Sequence, residues 1–371
     1  MKTIAINISG VVRNSGIDRY GTELISGLRR IDFGNKYIIF DFNRTEHHNR
    51  NIVNKISKTI FDQIIIPTKI KFNKISLLHS VKDIGLPSIK IKSCKYVLTL
   101  YDIIPLLFPN YYLDNIIKKK LYEARLKSCI DMADRVISIS ETTKRDVIKY
   151  FNITDNKFEV IPLGVSDIFS KLNIVEIDKI LKKNSIVRPY ILGIGGSEPR
   201  KNNITLIKAY SILKRVFKIK HKLVIVGKDR SEKEFKQFIK SVENEYETVK
   251  SDIIFCREVE DEDLVGIYKG ADIFVFLSIY EGFGLPPLEA MSCGVPVITS
   301  DISSLSEILS DCVLKTNPYN IDNIVKLIIL LLNNKALKNE LIMKGYNLVK
   351  QFTWHKTVEH TLRVYIGLLD Q

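Results

Sequence analysis

Ser278-Ile279-Tyr280-Glu281-Gly282-Phe283-Gly284-Leu285-Pro286-Pro287-Leu288-Glu289-Ala290-Met291-Ser292-Cys293-Gly294-Val295-Pro296 sets two carboxylates eight positions apart around a glycine-containing loop. The preceding Phe274-Val275-Phe276-Leu277 is short, apolar and partly aromatic or β-branched, and reads as a buried strand. Pro286 and Pro287 suit the opening of a helix, where a missing N–H costs nothing, and Gly294 suits its end. Glu281 is therefore expected on the loop at the strand's carboxyl end. Glu289 is expected in the first turn of the helix, facing the same crevice. A helix N-terminus offers free N–H groups and partial positive charge, which suits a phosphate.

Outward from this stretch, strand-like and helix-like segments alternate along the whole chain, which argues for parallel sheets covered by helices. Strands are expected at Ile4–Ile8, Tyr37–Phe40, Ile64–Ile66, Tyr96–Leu100 and Val136–Ile139. A second series follows at Tyr190–Gly193, Leu223–Val226, Ile253–Phe255, Ile273–Leu277 and Val297–Thr299. Helices are expected between them, among them Tyr20–Arg30, Asn115–Met132, Ile204–Phe217 and Asp261–Gly270. The charged segment 166–188 lacks a strong apolar alternation and reads as a junction. The fold class is α/β, with two Rossmann-like doubly wound domains facing across a cleft. Residues 1–170 form the first and 171–354 the second, and ligands belong at the carboxyl ends of the strands.

Two further loops fit that placement. Gly193-Ile194-Gly195-Gly196-Ser197-Glu198-Pro199-Arg200-Lys201-Asn202 follows the first strand of the second domain. Its glycines let a ligand approach the backbone, and Arg200 and Lys201 put positive charge beside it. It lacks the third glycine of the dinucleotide fingerprint, and a charge pair at such a junction is often only solvated surface. Its companionship with Glu281 and Glu289 raises its weight. The loop Asn14-Ser15-Gly16-Ile17-Asp18-Arg19-Tyr20-Gly21 opens the first helix of the first domain and is weak evidence alone.

Composition narrows the function classes. A chain of 371 residues accommodates two buried cores. The five cysteines form no C-x-x-C pair, which favours free thiols in a reducing compartment over disulfides or a zinc site. The N-terminus enters a strand-like run directly, so no secretory signal is read, and a cytoplasmic location is expected. The net charge is +14, and residues 1–170 carry 27 Lys and Arg against 17 Asp and Glu. Excess lysine, including Lys118-Lys119-Lys120, suits an anionic acceptor or peripheral contact with anionic inner-membrane lipid. A lysine- and asparagine-rich solvated surface is the alternative. No nucleic-acid module is present in the sequence, and no nucleic-acid partner is expected.

Several residues invite a stronger reading than they support. Asp261-Glu262-Asp263 spells a D-x-D metal pattern but begins an amphipathic helix, where acidic residues belong. His47-His48 sits in a polar loop without companion ligands. Cys293 reads as a small core residue. No metal is expected.

The segment from Glu281 to Pro296 resembles the signature of the family-4 retaining glycosyltransferases of GT-B fold, and it is highly specific. Moderately specific likenesses run through Gly16-Ile17-Asp18-Arg19-Tyr20, Asp102-Ile103-Ile104-Pro105, Ala133–Lys144, Val160–Val165, Pro199–Asn202, Leu264–Asp272 and Phe352-Thr353-Trp354. The resemblance implies that Glu281 lies against the donor sugar and that Glu289 accepts from the ribose hydroxyls. It implies that Phe283, Gly284 and Leu285 offer backbone N–H groups to sugar and phosphates. Arg200 and Lys201 would hold the pyrophosphate beside Gly195, and Gly16 would approach it from the other domain. Asp102 would contact the acceptor. Where the family commonly has His-Asp, this chain has Tyr101-Asp102. A tyrosine can donate a hydrogen bond but is no comparable base, and it can equally be a core aromatic. The terminal helix, 355–371, would return to the first domain.

The reaction implied is transfer of a sugar from a nucleotide-diphosphate donor to a glycan or lipid-linked acceptor in bacterial surface polysaccharide (O-antigen or lipopolysaccharide) assembly, without cofactor or metal. The Leu-Pro-Pro-Leu-Glu form of the signature looks most like mannosyltransferases, which suggests GDP-mannose. UDP-glucose, UDP-N-acetylglucosamine or a GT-B isomerase acting on the sugar nucleotide stay open. Glu281→Ala is expected to abolish transfer with little loss of fold.

Overall fold

The computed structural model describes residues 1–13, 15–42, 57–113, 115–170, 174–227, 229, 231–257 and 259–370. Asn14, His47 and His48 lie outside the described residues. The chain forms two compact units, residues 1–164 with 353–371, and residues 165–352. Each is built on a six-stranded sheet whose neighbouring strands all pair in parallel.

The first unit contains β1 (Thr3–Asn7), β2 (Lys36–Phe40), β3 (Leu77–Ser80), β4 (Lys95–Leu100), β5 (Arg135–Ser138) and β6 (Phe158–Val160), in the order β2-β1-β3-β4-β5-β6. β3 is buried throughout and β4 nearly so, because helices cover both faces of a parallel sheet. The order reverses between β1 and β3, so the loops after these strands open a crevice at the carboxyl edge. The helix Gly16–Ile31 starts there, with Ser15 Oγ accepting from the Asp18 N–H at 3.2 Å. The helix Trp354–Leu369 closes the unit against Gly16–Ile31. Val358 occupies the space a side chain at Gly27 would need, and Thr357 Oγ1 donates to the Pro162 carbonyl at 2.8 Å.

The second unit contains β7 (Tyr190–Ile194), β8 (Lys222–Val226), β9 (Ile253–Cys256), β10 (Ile273–Phe276), β11 (Val297–Ser300) and β12 (Leu314–Thr316), in the order β12-β11-β10-β7-β8-β9. The first strand of the unit, β7, lies beside the fourth, β10, with Ile191 opposite Ile273 and Leu192 opposite Phe274. This is the reversal point of the unit. The two loops singled out in the sequence follow β7 and β10 directly.

Three expectations need correction. Ile64–Ile66 is not a strand: Phe61–Ile65 is a π-helical turn that runs into the helix Ile66–Phe72. Phe61, Ile66 and Ile70 are buried while Ile64 and Ile65 are exposed, a helical spacing that a three-residue apolar run cannot reveal. The segment 166–188 is not a featureless junction, because it contains the helix Ile174–Lys183. Ile180 and Leu181 fill the spaces beside Gly266 and Gly270 of the helix Asp261–Gly270. Its wide charged face hid a narrow apolar stripe. The change of unit falls at Gly164/Val165 and Phe352/Thr353. Glu289, finally, is the fifth residue of the helix Leu285–Ser292 and so lies beyond its first turn.

Candidate active site

In the second unit the site begins with the backbone. Gly195 and Gly196 follow β7 with φ of +114° and +54°, which L side chains rarely adopt. A Cβ on Gly195 would overlap the Cγ of Lys201, so the missing side chain makes room for the lysine's stem. Asn203 Nδ2 bridges the same loop to the helix Asn203–Arg215, donating to the Gly196 carbonyl at 2.8 Å. Pro199–Lys201 forms a short 3₁₀ turn that aims both cations back along the strand ends.

The loop after β10 meets these cations. Glu281 Oε1 lies 2.5 Å from Arg200 Nη1 and 2.7 Å from Lys201 Nζ. Glu281 is 8% exposed and Arg200 9%, so the cluster is shielded from water. Arg200 is locked: it also donates to the Tyr280 carbonyl at 2.7 Å and pairs with Glu198 at 3.1 Å. Lys201 has its ammonium over the Phe276 ring, 4.7 Å from the centroid. Burial pushes the Glu281 carboxyl up, but Lys201 and then Arg200 outweigh it and hold the group below the usual carboxylate range.

Serines fix the loop that carries Glu281. Ser278 Oγ donates to the Arg200 carbonyl at 3.1 Å, and the Ile279 N–H bonds the same carbonyl at 2.8 Å. Ser303 Oγ accepts from the Glu281 N–H at 3.1 Å. Ser304 Oγ donates to the carbonyls of Glu281 and Phe283 at 2.8 and 2.9 Å. Sequence reading gave none of these serines a role. Ser303-Ser304 sits just past β11, the strand beside β10, and that position was the available signal.

Gly284, with φ +115°, turns the chain into the helix Leu285–Ser292, and a Cβ there would meet Leu305. The first-turn N–H groups of this helix have no acceptor inside it. Phe283 is buried, with its ring edge-on to Phe352 at 5.8 Å. Glu289 is also buried, but its described partner is Tyr268, whose hydroxyl donates to Oε2 at 3.1 Å. The structure thus joins Glu281, Arg200, Lys201 and Gly195 into one cluster, and ties Glu289 to the helix Asp261–Gly270.

The remaining candidates are in the first unit. Gly16 is the first residue of its helix, and a Cβ there would meet no heavy atom within 4 Å. Asp102 follows β4, and its Oδ1 accepts from the Ile104 N–H at 2.8 Å, starting the short helix Ile104–Leu107. The Tyr101 hydroxyl donates to the Val81 carbonyl at 2.7 Å, and its ring stands edge-on to Tyr20 at 5.7 Å. Burial raises that phenol well above its ordinary value, so Tyr101 is a neutral, inward-bonded aromatic. Asp263 pairs with Lys183 at 2.7 Å in the first turn of its helix, and no group of three potential metal ligands occurs among the described residues. Cys293 is buried, with its sulfur donating to the Phe169 carbonyl at 3.2 Å, and burial pushes the thiol up.

Residues 16–167 match the Glycosyltransferase Family 4 family, and residues 176–348 match Glycosyl transferases group 1. O-antigen chain mannosyltransferase B of Escherichia coli is 31% identical over 271 residues, 72% of this chain and 69% of that protein. The chain belongs to glycosyltransferase family 4. Serotype-specific mannosyltransferase WbdA of Escherichia coli is 30% identical over 278 residues, 74% of this chain but only 34% of WbdA. This family 4 chain therefore matches about a third of the length of that relative. Among solved structures, sucrose-phosphate synthase of Thermosynechococcus elongatus covers all of the chain at a TM-score of 0.77 and 19% identity. The fold of this family 4 member is GT-B.

Proposed function

We propose that this protein is a retaining glycosyltransferase that moves a sugar from a nucleotide-diphosphate donor to a glycan or lipid-linked acceptor in O-antigen or lipopolysaccharide assembly. Mannose from GDP-mannose is the first choice of donor. The observation that carries the reading is the buried contact of Glu281 with both Arg200 and Lys201 at the reversal point of the second sheet. When the bond between the anomeric carbon and the phosphate oxygen breaks, its electron pair leaves on the phosphate. The sugar ring becomes positive and the nucleotide diphosphate more negative. Fixed cations and the N-terminus of the helix Leu285–Ser292 suit the diphosphate, and a carboxylate suits the ring. The acceptor hydroxyl forms the new bond and loses its proton to the departing phosphate. No metal or cofactor is needed for that balance.

Lys201 is the cation best able to turn toward a ligand, since its ammonium rotates while the guanidinium of Arg200 is held by the Tyr280 carbonyl and Glu198. The names of the family relatives support the mannosyl donor. Thermal unfolding in the presence of GDP-mannose, UDP-glucose and UDP-N-acetylglucosamine tests the donor, because the correct one stabilises the fold by mass action. Stabilisation by a UDP-sugar and not by GDP-mannose overturns the mannosyl assignment. Nuclear magnetic resonance of the product decides the stereochemistry, and an inverted anomer removes the retaining mechanism. Conversion of the sugar nucleotide without any acceptor would make the chain an isomerase instead.

A further inference from the structure

At the reversal point of the first sheet, where ligands of open α/β sheets lodge, two lysines gather over a glycine. Lys82 follows β3 and is 7% exposed, and its ammonium donates to the Ser9 carbonyl in the loop after β1. Lys58 Nζ pairs at 2.5 Å with Oδ2 of Asp62, which lies in the π-helical turn Phe61–Ile65. The lysine stems occupy space that side chains would otherwise fill. A Cβ on Gly10, whose φ is +67°, would overlap Lys58 Cδ and Cε and stand 3.6 Å from Lys82 Nζ. Hydrogen bonds fix the surrounding loops. Asn7 Nδ2 donates to the Gly85 carbonyl at 2.8 Å, Ser80 Oγ to the Lys82 carbonyl at 2.9 Å, and the Gly10 N–H to the Phe42 carbonyl at 2.7 Å.

Internal pairing leaves two groups of this cluster incomplete. Asp62 is 4% exposed, yet its Oδ1 has no hydrogen-bond partner, a costly state for a buried carboxylate oxygen. Lys82 has no carboxylate within ion-pair distance among the described residues. Asp62 takes Lys58, and Asp83 Oδ2 accepts from the Tyr122 hydroxyl at 2.5 Å. Burial, and then Lys58, press the Lys82 pKa down to about 7 against the pull of Asp62 and Asp83. A ligand that completes the cluster brings an anionic oxygen to the ammoniums and a hydroxyl proton to Asp62. A sugar with a carboxylate or phosphate substituent carries both on one ring. A neutral sugar would leave Lys82 without a counter-charge, and a simple anion without a proton to donate would leave Asp62 Oδ1 unpartnered. The side chain of Lys58 is 28% exposed, so the cluster is approached from that side.

We propose that Lys82, Lys58 and Asp62 form a binding site for an acidic sugar, the lysines taking its carboxylate or phosphate group and Asp62 a neighbouring hydroxyl. The site then selects an acceptor glycan that carries a negative charge on the sugar held here. That role rests on the proposed transferase reading; the binding itself does not.

The test is a ligand-observed nuclear magnetic resonance titration of the full chain with glucuronate, glucose 6-phosphate, glucose and inorganic phosphate. Glucuronate or glucose 6-phosphate should bind roughly tenfold more tightly than glucose or phosphate, and the tighter of the two identifies the anionic group. Lys82→Met should lower that affinity by roughly tenfold or more. Lys58→Gln, at a partly exposed position and with a donor kept for Asp62, should lower it as well. Thermal unfolding checks the fold of each variant, and Lys58→Gln decides alone should Lys82→Met not fold. Binding should survive Lys201→Ala, which separates this site from the proposed diphosphate site of the second unit. Equal affinity for glucose and both acidic sugars overturns the proposal, as does undiminished binding by the folded variants. Loss of acidic-sugar binding in Lys201→Ala, or weaker nucleoside diphosphate binding in Lys82→Met, also overturns it and assigns the cations to the donor. Acidic-sugar binding without stabilisation by any sugar nucleotide would uphold this site while removing the transferase reading.

Discussion

Lys201 Nζ stands 2.7 Å from Glu281 Oε1, across eighty positions of chain, where the order of the second sheet reverses. The two residues come from the loops after β7 and β10, adjacent strands that sequence order separates. Their pairing sets a carboxylate against the two cations of the first loop. Arg200 and Lys201 are neutralised in part by the carboxylate that a sugar nucleotide would later share.

On the proposed reading, Lys201 exchanges that carboxylate for phosphate oxygens. Lys201→Ala should weaken binding of the donor nucleotide by about 2 kcal/mol, roughly thirtyfold, if the pair formed with phosphate is desolvated. Isothermal titration with the nucleoside diphosphate measures it. A dissociation constant within twofold of the wild type would remove Lys201 from the binding site.

The buried contact of Glu281 with Arg200 and Lys201 predicts that alanine there costs stability as well as activity. Removing one partner of a buried ion pair costs about 3–5 kcal/mol; Glu281→Ala takes the described carboxylate partner from Lys201 and leaves Arg200 with Glu198 and the Tyr280 carbonyl. Glu281→Gln keeps the shape and should lower kcat about 10²–10³-fold. Urea unfolding of wild type and both variants separates the two effects.

The pH dependence follows from the direction of the Glu281 shift. Its carboxyl is held below the ordinary value in the folded chain, so the unfolded chain takes up the proton first as pH falls. The stabilisation is complete above the unfolded carboxylate value of about 4.3 and is lost as pH drops through the lower folded value. The difference in unfolding free energy between wild type and Glu281→Gln should be flat from neutrality to roughly pH 5 and shrink below it. A difference that grows with acid would contradict the ion cluster.

Gly195 supports Lys201 through space alone. With φ +114° and a Cβ that would overlap the lysine's stem, Gly195→Ala should displace Lys201 and weaken donor binding at least tenfold, about 1.4 kcal/mol. The same titration checks it, with Gly367→Ala in the helix Trp354–Leu369, where the added methyl meets nothing, as the sterically neutral comparison.

In the first unit His79 is fully buried between Tyr365 and Thr99, with Nδ1 2.5 Å from the Tyr365 hydroxyl and Nε2 2.8 Å from Thr99 Oγ1. Burial lowers its pKa to about 3, so the folded chain holds it neutral. Between the unfolded value of about 6.5 and that value, acid favours the unfolded chain by up to about 1.4 kcal/mol per pH unit. Tyr365→Phe should cost about 1–3 kcal/mol by leaving Nδ1 without its partner and loosening the terminal helix. Hydrogen exchange of the helix Trp354–Leu369 reads that loss directly, and unchanged protection would refute it.

Most strands were legible because parallel sheets covered on both faces demand continuous apolar runs, as in Tyr190–Ile194 and Ile273–Phe276. The strands that escaped were short or half polar: Leu77-Leu78-His79-Ser80, and the edge strands Phe158–Val160 and Leu314–Thr316. His79 and Ser80 sit in β3 because the histidine is satisfied by Tyr365, from the far end of the chain, a contact no local window contains. The Ile64–Ile66 run failed for the opposite reason, its apolarity being local but its partners helical.

The chain order of the 273–296 stretch, with Gly284 before two prolines and Gly294 after Cys293, was enough to specify a strand, a loop and a helix there. Those are short-range requirements of backbone conformation and hydrogen bonding. The amino-acid order also placed Arg200 and Lys201 after the first strand of the second unit. Only tertiary structure decided that both cations share Glu281, that Ser303 and Ser304 hold its loop, and that Glu289 answers to Tyr268. Such pairings depend on which strands become neighbours, and that is settled by the packing of a whole sheet.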